Sequence, residues 1–390
     1  MYKKQKKLFL SVFVMTVKQD ISNKETVMRH INNTTSASSS AVITRSSVSD
    51  FAESFLKFNG RPEGTAIPFV MEEDRSQAEY SGNASRGITR SAMLNSYASE
   101  SRKPVKFNLH LIEACNYSCR HCFAKFGSRK MLSFDNWRTI VDNCLRAVPG
   151  CSFNIAGGEP LLAAYFHDLA RYCHDRGSKV SVITNGYLIT DKWIRENAGI
   201  LDTLGLSLDS FDEGTLVKMG RCTRSGKILT AGRIKEITTL VKEVNPDCRI
   251  KVNTVVCSLN RDEIVREQIM DIPVSRWKIF KMMSFANDSF NNSDIVISDE
   301  EYMRYISNNL GTSSEMLKDE NSHIFSLSDT CSVVVEKNLD GGYLMIDANG
   351  NLVDNTINTN YVPVVNCVTG DVRDGINRLG LDTELYWSRY

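Results

Sequence analysis

Three cysteines within eight residues carry the clearest chemical signal of the sequence. Cys115, Cys119 and Cys122 are spaced as Cys-x3-Cys-x2-Cys in the segment EACNYSCRHCF. Thiolates at this spacing can each bind a different iron of a cubane 4Fe-4S cluster, and the fourth iron is then left open for reaction. The alternative is a structural zinc site completed by His121 or by a distant ligand, although no second cysteine pair follows at the usual distance.

A Gly-Gly-Glu-Pro run at residues 157–160 is the second segment with a chemical rationale. Gly157 and Gly158 have no Cβ, so their backbone can approach a ligand closely. The carboxylate of Glu159 can accept a hydrogen bond from an ammonium group, and Pro160 suits the first turn of a helix. Such a run is weak by itself, but here it follows the cysteines by one predicted helix and strand.

The segments that position these residues alternate between strand and helix patterns. From residue 104 onward we predict strands at residues 107–112, 153–156, 179–184, 204–208, 249–256 and 277–282, with crossover helices between them. Strands connected in this way pair in parallel. The cysteines follow the first strand and the glycine pair follows the second, while Asn185 and Ser207 lie at the ends of the third and fourth. Barrel enzymes carry their chemistry at these carboxyl ends. The predicted fold is therefore α/β, a partial (β/α)6 barrel, with a flat doubly wound sheet as the alternative.

Composition divides the chain into three regions. Residues 1–103 are rich in Ser, Asn, Thr and Arg and are expected to be largely disordered. They begin with an apolar run that is too short to cross a bilayer, so we expect either a weak amphipathic membrane-surface anchor or a disordered or misassigned start. Residues 104–285 form the predicted core, and residues 286–390 form a C-terminal extension that caps the substrate. In the extension, Asn349-Gly350 predicts a hairpin turn, with Tyr343 and Asp347 as candidate contacts.

The net charge and the pattern of cysteines limit which classes of partner and which cellular compartment suit the protein. Its 390 residues have a formal net charge of +1, with acidic and basic residues interspersed. This distribution of charge produces no overall electrostatic field that would attract nucleic acid or an anionic membrane. The eleven cysteines lack a regular pairing pattern, which is typical of a reduced, cytoplasmic protein.

The motifs together resemble one family, the viperin-like enzymes of the radical S-adenosylmethionine (radical SAM) superfamily. The similar segments are CNYSCRHCF, GGEPLL, TNGYLI, SLDSFDEGT, KVNTVV and SRWKIFK, which occur in the same order between residues 106 and 285. The resemblance implies a [4Fe-4S] cluster on the three cysteines and S-adenosyl-L-methionine on the open iron. It assigns Gly157, Gly158 and Glu159 to the methionine amino group, and Asn185 and Ser207 to the ribose or carboxylate of the cofactor.

The same resemblance implies an activity. Viperins convert a ribonucleoside triphosphate (CTP, UTP or GTP) to its 3'-deoxy-3',4'-didehydro analogue, after a 5'-deoxyadenosyl radical has taken the hydrogen from C4'. The product terminates viral RNA synthesis. An electron donor and the iron-sulfur assembly machinery are the implied partners, with no nucleic acid and no stable membrane span. The sequence does not identify the general acid that would protonate the leaving hydroxyl.

Cations on the last two predicted strands suit a triphosphate. Side chains alternate along a strand, so Lys251 shares a face with Asn253, and Arg276 shares one with Lys278. Joined by Arg221 from a loop, these cations are expected to converge on the phosphates at the catalytic mouth of the barrel. The alternative is that they are ordinary surface residues. By the family resemblance, Asn108 on the first strand also contacts the nucleotide.

Two departures from the family pattern concern the substrate. Ala156 stands where the animal proteins have serine, and Ser152 stands where they have a lysine that helps to hold the nucleotide. One phosphate contact is therefore expected to be missing.

Two other classes of function stay open, namely a different radical SAM enzyme, such as a peptide maturase or a cofactor-biosynthesis enzyme, and a non-catalytic zinc-binding interaction protein.

Overall fold

The computed structural model of the chain describes residues 89–101, 103–124, 131–284, 286–287, 290–311, 322–338, 341–355 and 361–389. Most of the predicted N-terminal extension, including its apolar start, lies outside these residues. The last part of this extension forms helix α1, at residues 90–101. This helix carries the fully buried Leu94, and the Ser91 amide donates to the Asn377 side chain at 3.0 Å.

Six parallel strands form the centre of the fold, in the order in which they occur along the chain. They are β1 (Lys106–His110), β2 (Ser152–Ala156), β3 (Val180–Thr184), β4 (Thr203–Ser207), β5 (Arg249–Val256) and β6 (Val274–Lys281). Each pairs in parallel with the next. The six predicted strands are therefore confirmed, with bounds that differ by a few residues.

The C-terminal region extends this sheet at both edges. Its strands are β7 (Ala286–Asn287), β8 (Phe290–Asn291), β9 (Ser322–Ser326), β10 (Ser332–Glu336), β11 (Leu344–Ile346), β12 (Asn351–Asp354) and β13 (Val362–Asn366). Strand β11 pairs in parallel with β1, and β10 pairs in parallel with β6. Strands β12, β13 and β9 add antiparallel edges, while β7 and β8 form a separate ribbon. Part of the predicted C-terminal extension therefore belongs to the same sheet as the core.

A contact between distant strands shows that the sheet is curved. Tyr343 directly precedes β11, which is six strand positions from β6 in the sheet order. In a flat sheet these strands would lie about 29 Å apart, at about 4.8 Å per strand. The Tyr343 Oη nevertheless lies 3.3 Å from the Nζ of Lys278 on β6. The open, curved barrel is therefore confirmed over the flat alternative.

Ten helices are described, and those between the core strands cover the outside of the sheet. They are α1, α2 (Phe134–Ala147), α3 (Phe166–Asp175), α4 (Asp191–Asn197), α5 (Glu213–Lys218), α6 (Ala231–Val244), α7 (Arg266–Met270), α8 (Asp299–Leu310), α9 (Val372–Arg378) and α10 (Thr383–Ser388). Ser133 caps α2 by accepting from the Asn136 amide at 3.2 Å, and Trp137, Ile140 and Val141 are buried on the face toward the sheet. The caps and the apolar periodicity explain why these segments are helical.

Within the described residues, no helix combines the length and the apolar character that crossing a membrane requires.

Candidate active site

The cysteine loop follows β1 and packs against the turn after α5. The Ser118 amide donates to the Gly220 carbonyl at 3.2 Å, and the Arg120 amide donates to the Met219 carbonyl at 3.0 Å. Gly220 has a φ of 73°, and a Cβ there would lie 2.4 Å from the Ser118 oxygen. Only glycine allows this approach, so the turn sets the position of the loop.

The three cysteines of the loop differ in exposure. Cys115 is exposed, Cys119 is buried and Cys122 is intermediate, and none of the eleven cysteines, all of which lie in the described part of the chain, forms a disulfide. The Tyr117 amide donates to the Cys115 sulfur at 3.4 Å. Although Cys115 is exposed as a whole residue, the protein atoms around its sulfur keep water away and raise the pKa of the thiol, whereas this backbone hydrogen bond opposes the rise.

The loop provides the donor set of an iron-sulfur cluster. In the described part of the chain, no three His, Cys, Asp or Glu side chains surround a single metal position. In a 4Fe-4S cluster each cysteine binds a different iron. The three sulfur atoms therefore need to lie on one loop, but they do not need to surround a single metal position. Three free thiols on a loop that is anchored by backbone hydrogen bonds fit this requirement.

The glycine pair meets the cysteine loop directly. Gly157 has a φ of 144°, and a Cβ on this residue would lie 2.5 Å from the Ile112 oxygen, while a Cβ on Gly158 would lie 2.3 Å from the Ala114 oxygen. The Glu159 amide donates to the Ala114 carbonyl at 2.9 Å. The close approach that these glycines permit is therefore to the backbone before the cysteines.

Glu159 is fully buried and fastens this loop to the end of β3. Its carboxylate accepts from the Thr184 hydroxyl at 2.7 Å, the Asn185 amide at 2.8 Å and the Leu161 amide at 3.2 Å. Burial raises the pKa of Glu159, and these hydrogen bonds counteract part of the rise. Its contact with the cofactor stays a prediction, and the described contacts give it a positioning role.

Asn185 connects β3 to the cysteine loop. Its Nδ2 donates to the Asn116 side-chain oxygen at 2.7 Å and lies 3.8 Å from the Cys115 sulfur. The loops after β1, β2 and β3 therefore meet at one end of the barrel, where the sequence predicted the cofactor site. Ser207, the last residue of β4, accepts a hydrogen bond from the Arg221 guanidinium through its carbonyl oxygen.

Arg221 lies beside the cysteine loop. Its Nη1 donates to the Cys119 sulfur at 3.3 Å, and its Nε lies 2.9 Å from Asp209 Oδ2, which is also 3.2 Å from His121 Nε2. Burial disfavours the charged guanidinium, but Cys119 and Asp209 more than offset this and raise the pKa of Arg221. The expectation that Arg221 joins the phosphate-binding cations was wrong, because these buried partners hold it at the other end of the barrel.

A polar cavity inside the barrel gathers the cations of β5 and β6. Its charged lining residues are Lys106, Arg249, Lys251, Arg276 and Lys278. No acidic residue lines it among the described residues. Several of these cations come from the first residues of their strands, so the cavity lies toward the amino ends of the strands. The expectation that the cations converge at the carboxyl-terminal mouth was wrong, because their strand positions set them deeper in the barrel.

The strand period explains which side chains face this cavity. On β1, Asn108 lines the cavity, whereas Phe107 and Leu109 belong to the hydrophobic core. Asn108 donates to the Leu344 carbonyl at 3.1 Å and accepts from the Asn154 side chain at 2.8 Å. The structure thus brings Asn108 together with Lys251, Arg276 and Lys278 as the sequence predicted.

Asn253 and the two hairpin candidates have different surroundings. Asn253 lies two residues after Lys251 on β5, and its buried Oδ1 has no hydrogen-bond partner among the described residues. Tyr343 lines the cavity. Asp347 instead holds the predicted hairpin turn, because its Oδ1 accepts from the Asn349 amide at 2.9 Å and the Asn351 amide at 2.8 Å.

The positive charge of the cavity is only partly balanced. Glu336 on β10 is buried, 2.6 Å from Lys278 Nζ and 3.6 Å from Arg389 Nε, and it accepts from Tyr343 at 2.6 Å. Burial opposes its ionisation, but Lys278 and Arg389 hold the pKa of Glu336 below its usual value. Burial and the neighbouring Lys278 and Lys106 lower the pKa of Lys251 well below its usual value. Buried like charges of this kind suit a polyanionic ligand.

Sequence reasoning missed Lys106, Arg249, Glu336 and Arg389 as parts of this site. Lys106 is two residues before Asn108, so the strand period was a signal that could have found it. Arg249 likewise precedes Lys251 by two residues. Glu336 and Arg389 had no comparable signal, because the charged partners that place them in the site, Lys278 for Glu336 and Glu336 for Arg389, are distant in sequence.

Comparisons with known proteins agree with this arrangement. The model of the radical SAM superfamily matches residues 109–266. This superfamily uses a 4Fe-4S cluster and S-adenosylmethionine. The solved structure of anSMEcpe with bound AdoMet and a peptide has a TM-score of 0.53 and 16% identity, covering 72% of this chain and 82% of the other. At this identity, the likeness supports the fold alone.

Curated relatives are more similar in sequence. An S-adenosylmethionine-dependent nucleotide dehydratase of Selenomonas ruminantium is 32% identical over 287 residues, which cover 73% of this chain and 98% of the relative. A protein of the same name from Fibrobacter sp. (strain UWH6) is 31% identical over 271 residues, covering 65% of this chain and 78% of the relative. The chain is therefore a radical SAM enzyme and belongs to the viperin-like family of S-adenosylmethionine-dependent nucleotide dehydratases.

Proposed function

We propose that this enzyme converts a ribonucleoside triphosphate, CTP, UTP or GTP, to its 3'-deoxy-3',4'-didehydro analogue as part of antiviral defence. The observation that carries the proposal is the cavity with five cationic side chains and no acidic lining residue among the described ones. A triphosphate supplies the negative charge that such a site requires, with bidentate contacts from arginine and point charges from lysine.

The two ends of the barrel suggest how the substrate is oriented. Strand β1 runs from Lys106 in the cavity to His110, a distance of about 13 Å at about 3.3 Å per residue. The cysteine loop begins a few residues later. An elongated nucleotide with its phosphates among Lys251, Arg276 and Lys278 would therefore extend its ribose toward the cysteine end of the barrel.

Each group of residues has a role in this proposal. Cys115, Cys119 and Cys122 hold the cluster, and the loops with Gly157, Gly158, Glu159, Asn185 and Ser207 hold S-adenosylmethionine. When bound, these groups supply the radical chemistry that removes a hydrogen from the ribose. The protein orients the nucleotide and excludes water, while Asn108 and Asn253 add polar contacts beside the cations.

The proposal includes partners and a compartment. The chemistry requires an electron donor, and loading of the cluster requires the iron-sulfur assembly machinery. The eleven free cysteines suit a reducing cytoplasm, where an oxygen-sensitive cluster would persist.

The test is turnover of each nucleotide by the reconstituted enzyme. Iron and sulfide are added without oxygen, followed by S-adenosylmethionine, a reductant and each of the four ribonucleoside triphosphates in turn, with products read by mass spectrometry. We expect loss of water from at least one triphosphate, at the 3' position. Formation of 5'-deoxyadenosine with no change in any nucleotide would overturn the proposal.

A matched control tests the role of the cysteine loop. Replacing Cys115, Cys119 and Cys122 by alanine should abolish the brown iron chromophore and all turnover. Replacing Cys222, a partly buried cysteine outside the motif, should leave both unchanged. Nucleotide turnover by the triple variant would refute the assignment of these ligands.

A further inference from the structure

We propose that Lys106 binds the terminal phosphate of the substrate and makes the enzyme selective for triphosphates over diphosphates. This inference rests on the proposed function and adds a residue that distinguishes phosphate chains of different length.

Lys106 supplies the positive charge of one whole wall of the cavity. The other cationic lining residues, Arg249, Lys251, Arg276 and Lys278, all lie on β5 and β6. Among the described lining residues on β1 to β4, Lys106 alone is charged. A phosphate chain that is bound along β5 and β6 would therefore meet its counter-charge on the other wall at Lys106.

The register explains why this lysine is needed on β1. Lys106 is paired with Ser152 on the neighbouring strand β2. The Ser152 hydroxyl donates to the Val105 carbonyl at 3.2 Å, and Ser152 is not among the described residues that line the cavity. The contact expected to be lost at Ser152 is thus available from the adjacent strand at the same level of the barrel.

The backbone of Lys106 is held in place by the C-terminal helix. Its amide donates to the Tyr386 hydroxyl at 2.6 Å, and its carbonyl accepts from the same hydroxyl at 3.3 Å. Tyr386 is fully buried. Because the start of β1 is fixed, the Lys106 ammonium can reach only a limited set of positions. A residue that distinguishes phosphate chains of different length must be restricted in this way.

The electrostatics of the cavity agree with this role. Burial, together with the positive charges of Arg249, Lys278 and Arg276, lowers the pKa of Lys106 to about 7, and Asp202 opposes this effect. A bound polyanion would favour the protonated lysine. Triphosphate binding above pH 7 should therefore be accompanied by proton uptake at this residue.

The experiment measures binding of inorganic tripolyphosphate and of pyrophosphate to the reconstituted enzyme by calorimetry. Using phosphate chains alone removes any dependence on the base. Lys106→Met should weaken tripolyphosphate binding about tenfold or more, the worth of one charge-assisted contact, and change pyrophosphate binding less than about twofold. Lys106→Arg should retain most of the selectivity. Lys103→Met, which removes an exposed lysine three residues earlier, is the control.

A double variant that moves the charge to the neighbouring strand distinguishes loss of the cation from misfolding. The double variant Lys106→Ser with Ser152→Lys returns the cation to the same pair of positions and should restore at least part of the tripolyphosphate affinity that Lys106→Ser alone loses. Equal losses for both phosphate chains, or no loss for either, would overturn the inference. The two proposals can fail separately. If the enzyme turns over no nucleotide, but Lys106→Met weakens tripolyphosphate binding and not pyrophosphate binding, the proposed function is refuted and the role of Lys106 is supported.

Discussion

Individual side chains in this protein divide into two charged groups at opposite ends of one barrel. Asp209 is 2% exposed and joins Arg221 to His121 beside the cysteine loop. Its other oxygen accepts from the Val255 amide at 2.8 Å. Because Arg221 also donates to Cys119, the carboxylate stabilises the residues that position a predicted cluster ligand.

Removing this carboxylate should cost substantial stability. Asp209→Asn leaves the buried Arg221 charge without its counter-ion, so we expect the free energy of unfolding to fall by about 3–5 kcal/mol in urea. His121 and Arg221 hold the pKa of Asp209 below its usual value despite burial. This stabilisation is present above the usual aspartate pKa and is lost as the pH falls through the folded-state pKa. The unfolding free energy of Asp209→Asn should not show this loss at acidic pH.

An exposed aspartate provides the comparison. The Asp262 side chain is 74% exposed and lies 3.5 Å from Arg261. Asp262→Asn should change the unfolding free energy by less than about 0.5 kcal/mol. Similar losses in the two variants would contradict a special role for the buried carboxylate.

Lys106 should make the stability of the ligand-free protein depend on pH. Its pKa of about 7 in the folded protein compares with 10.5 for an ordinary lysine. The unfolded chain therefore binds more protons between these values, so the unfolding free energy should rise with pH. From pH 7 to about pH 9, we expect this residue to add up to about 2 kcal/mol.

Comparison of two lysine variants isolates this contribution. Lys106→Met removes the titrating ammonium, so it should flatten the rise of the unfolding free energy with pH. Lys103→Met should keep the slope of the wild type. A slope that is unchanged in Lys106→Met would exclude the lowered pKa.

Secondary-structure elements position the cysteine loop through close backbone contacts. The turn after α5 and the loop after β2 both approach the cysteine loop at glycines. Gly220 combines a positive φ with a hydrogen bond from the Ser118 amide to its carbonyl. An element on the other side of the barrel mouth thereby determines where the cysteines lie.

A methyl group at Gly220 should displace the cysteine loop. Gly220→Ala adds a Cβ 2.4 Å from the Ser118 oxygen at a φ of 73°. We expect the iron content after reconstitution to fall by at least about half, because both the strained backbone and the clash must be relieved by movement of the loop. Iron analysis and the absorbance of the cluster measure this effect.

Gly226 offers a control with the same backbone strain. Its φ is 76°, but no atom in the described part of the chain would lie within 4 Å of a Cβ there. Gly226→Ala should lose about 1 kcal/mol of stability and keep its full iron content. Equal iron loss in the two variants would mean that strain, and not the contact with Ser118, is responsible.

Across the whole molecule, the two ends of the described chain complete the barrel together. Strands β10 and β11 extend the sheet from opposite edges, and α10 supports the start of β1. Arg389, which is fully buried, donates to the Asn338 carbonyl at 2.7 Å. The polar cavity therefore depends on residues that are nearly three hundred positions apart, because the Lys106 amide donates to the Tyr386 hydroxyl.

Loss of one hydroxyl at this junction should affect both stability and ligand binding. Tyr386→Phe leaves the Lys106 amide without its acceptor, so we expect the unfolding free energy to fall by about 1–3 kcal/mol. Tripolyphosphate affinity should fall as well, because the start of β1 is released. Urea unfolding and calorimetry measure the two effects.

Tyr172 is a suitable control for this variant. Its hydroxyl donates to Asp142 at 2.9 Å on the outer helices. Tyr172→Phe should leave tripolyphosphate binding unchanged and cost less than about 1 kcal/mol. Weaker tripolyphosphate binding in this variant, to the same degree as in Tyr386→Phe, would contradict the proposed coupling.

Local pattern was sufficient for much of the fold and for the loops that carry the predicted cofactor site. The presence and order of the six core strands followed from alternating βα segments, and the strand period of two correctly grouped Lys251, Arg276 and Lys278 in one cavity. The cysteine spacing and the glycine run were readable because each motif lies within a few residues, where chain geometry alone limits the arrangement. The same locality made Asn349-Gly350 a reliable hairpin signal.

Only the folded chain decided the partners of Arg221 and Lys106 and the end of the barrel at which the cations gather. Sequence pattern shows which face of a strand a side chain occupies, but not how far the sheet curls or how neighbouring strands are staggered. Curvature brings Tyr343 to Lys278, and register sets Lys106 beside Ser152. These contacts join residues that are distant in sequence, so they depend on the packing of the whole sheet and leave no local pattern.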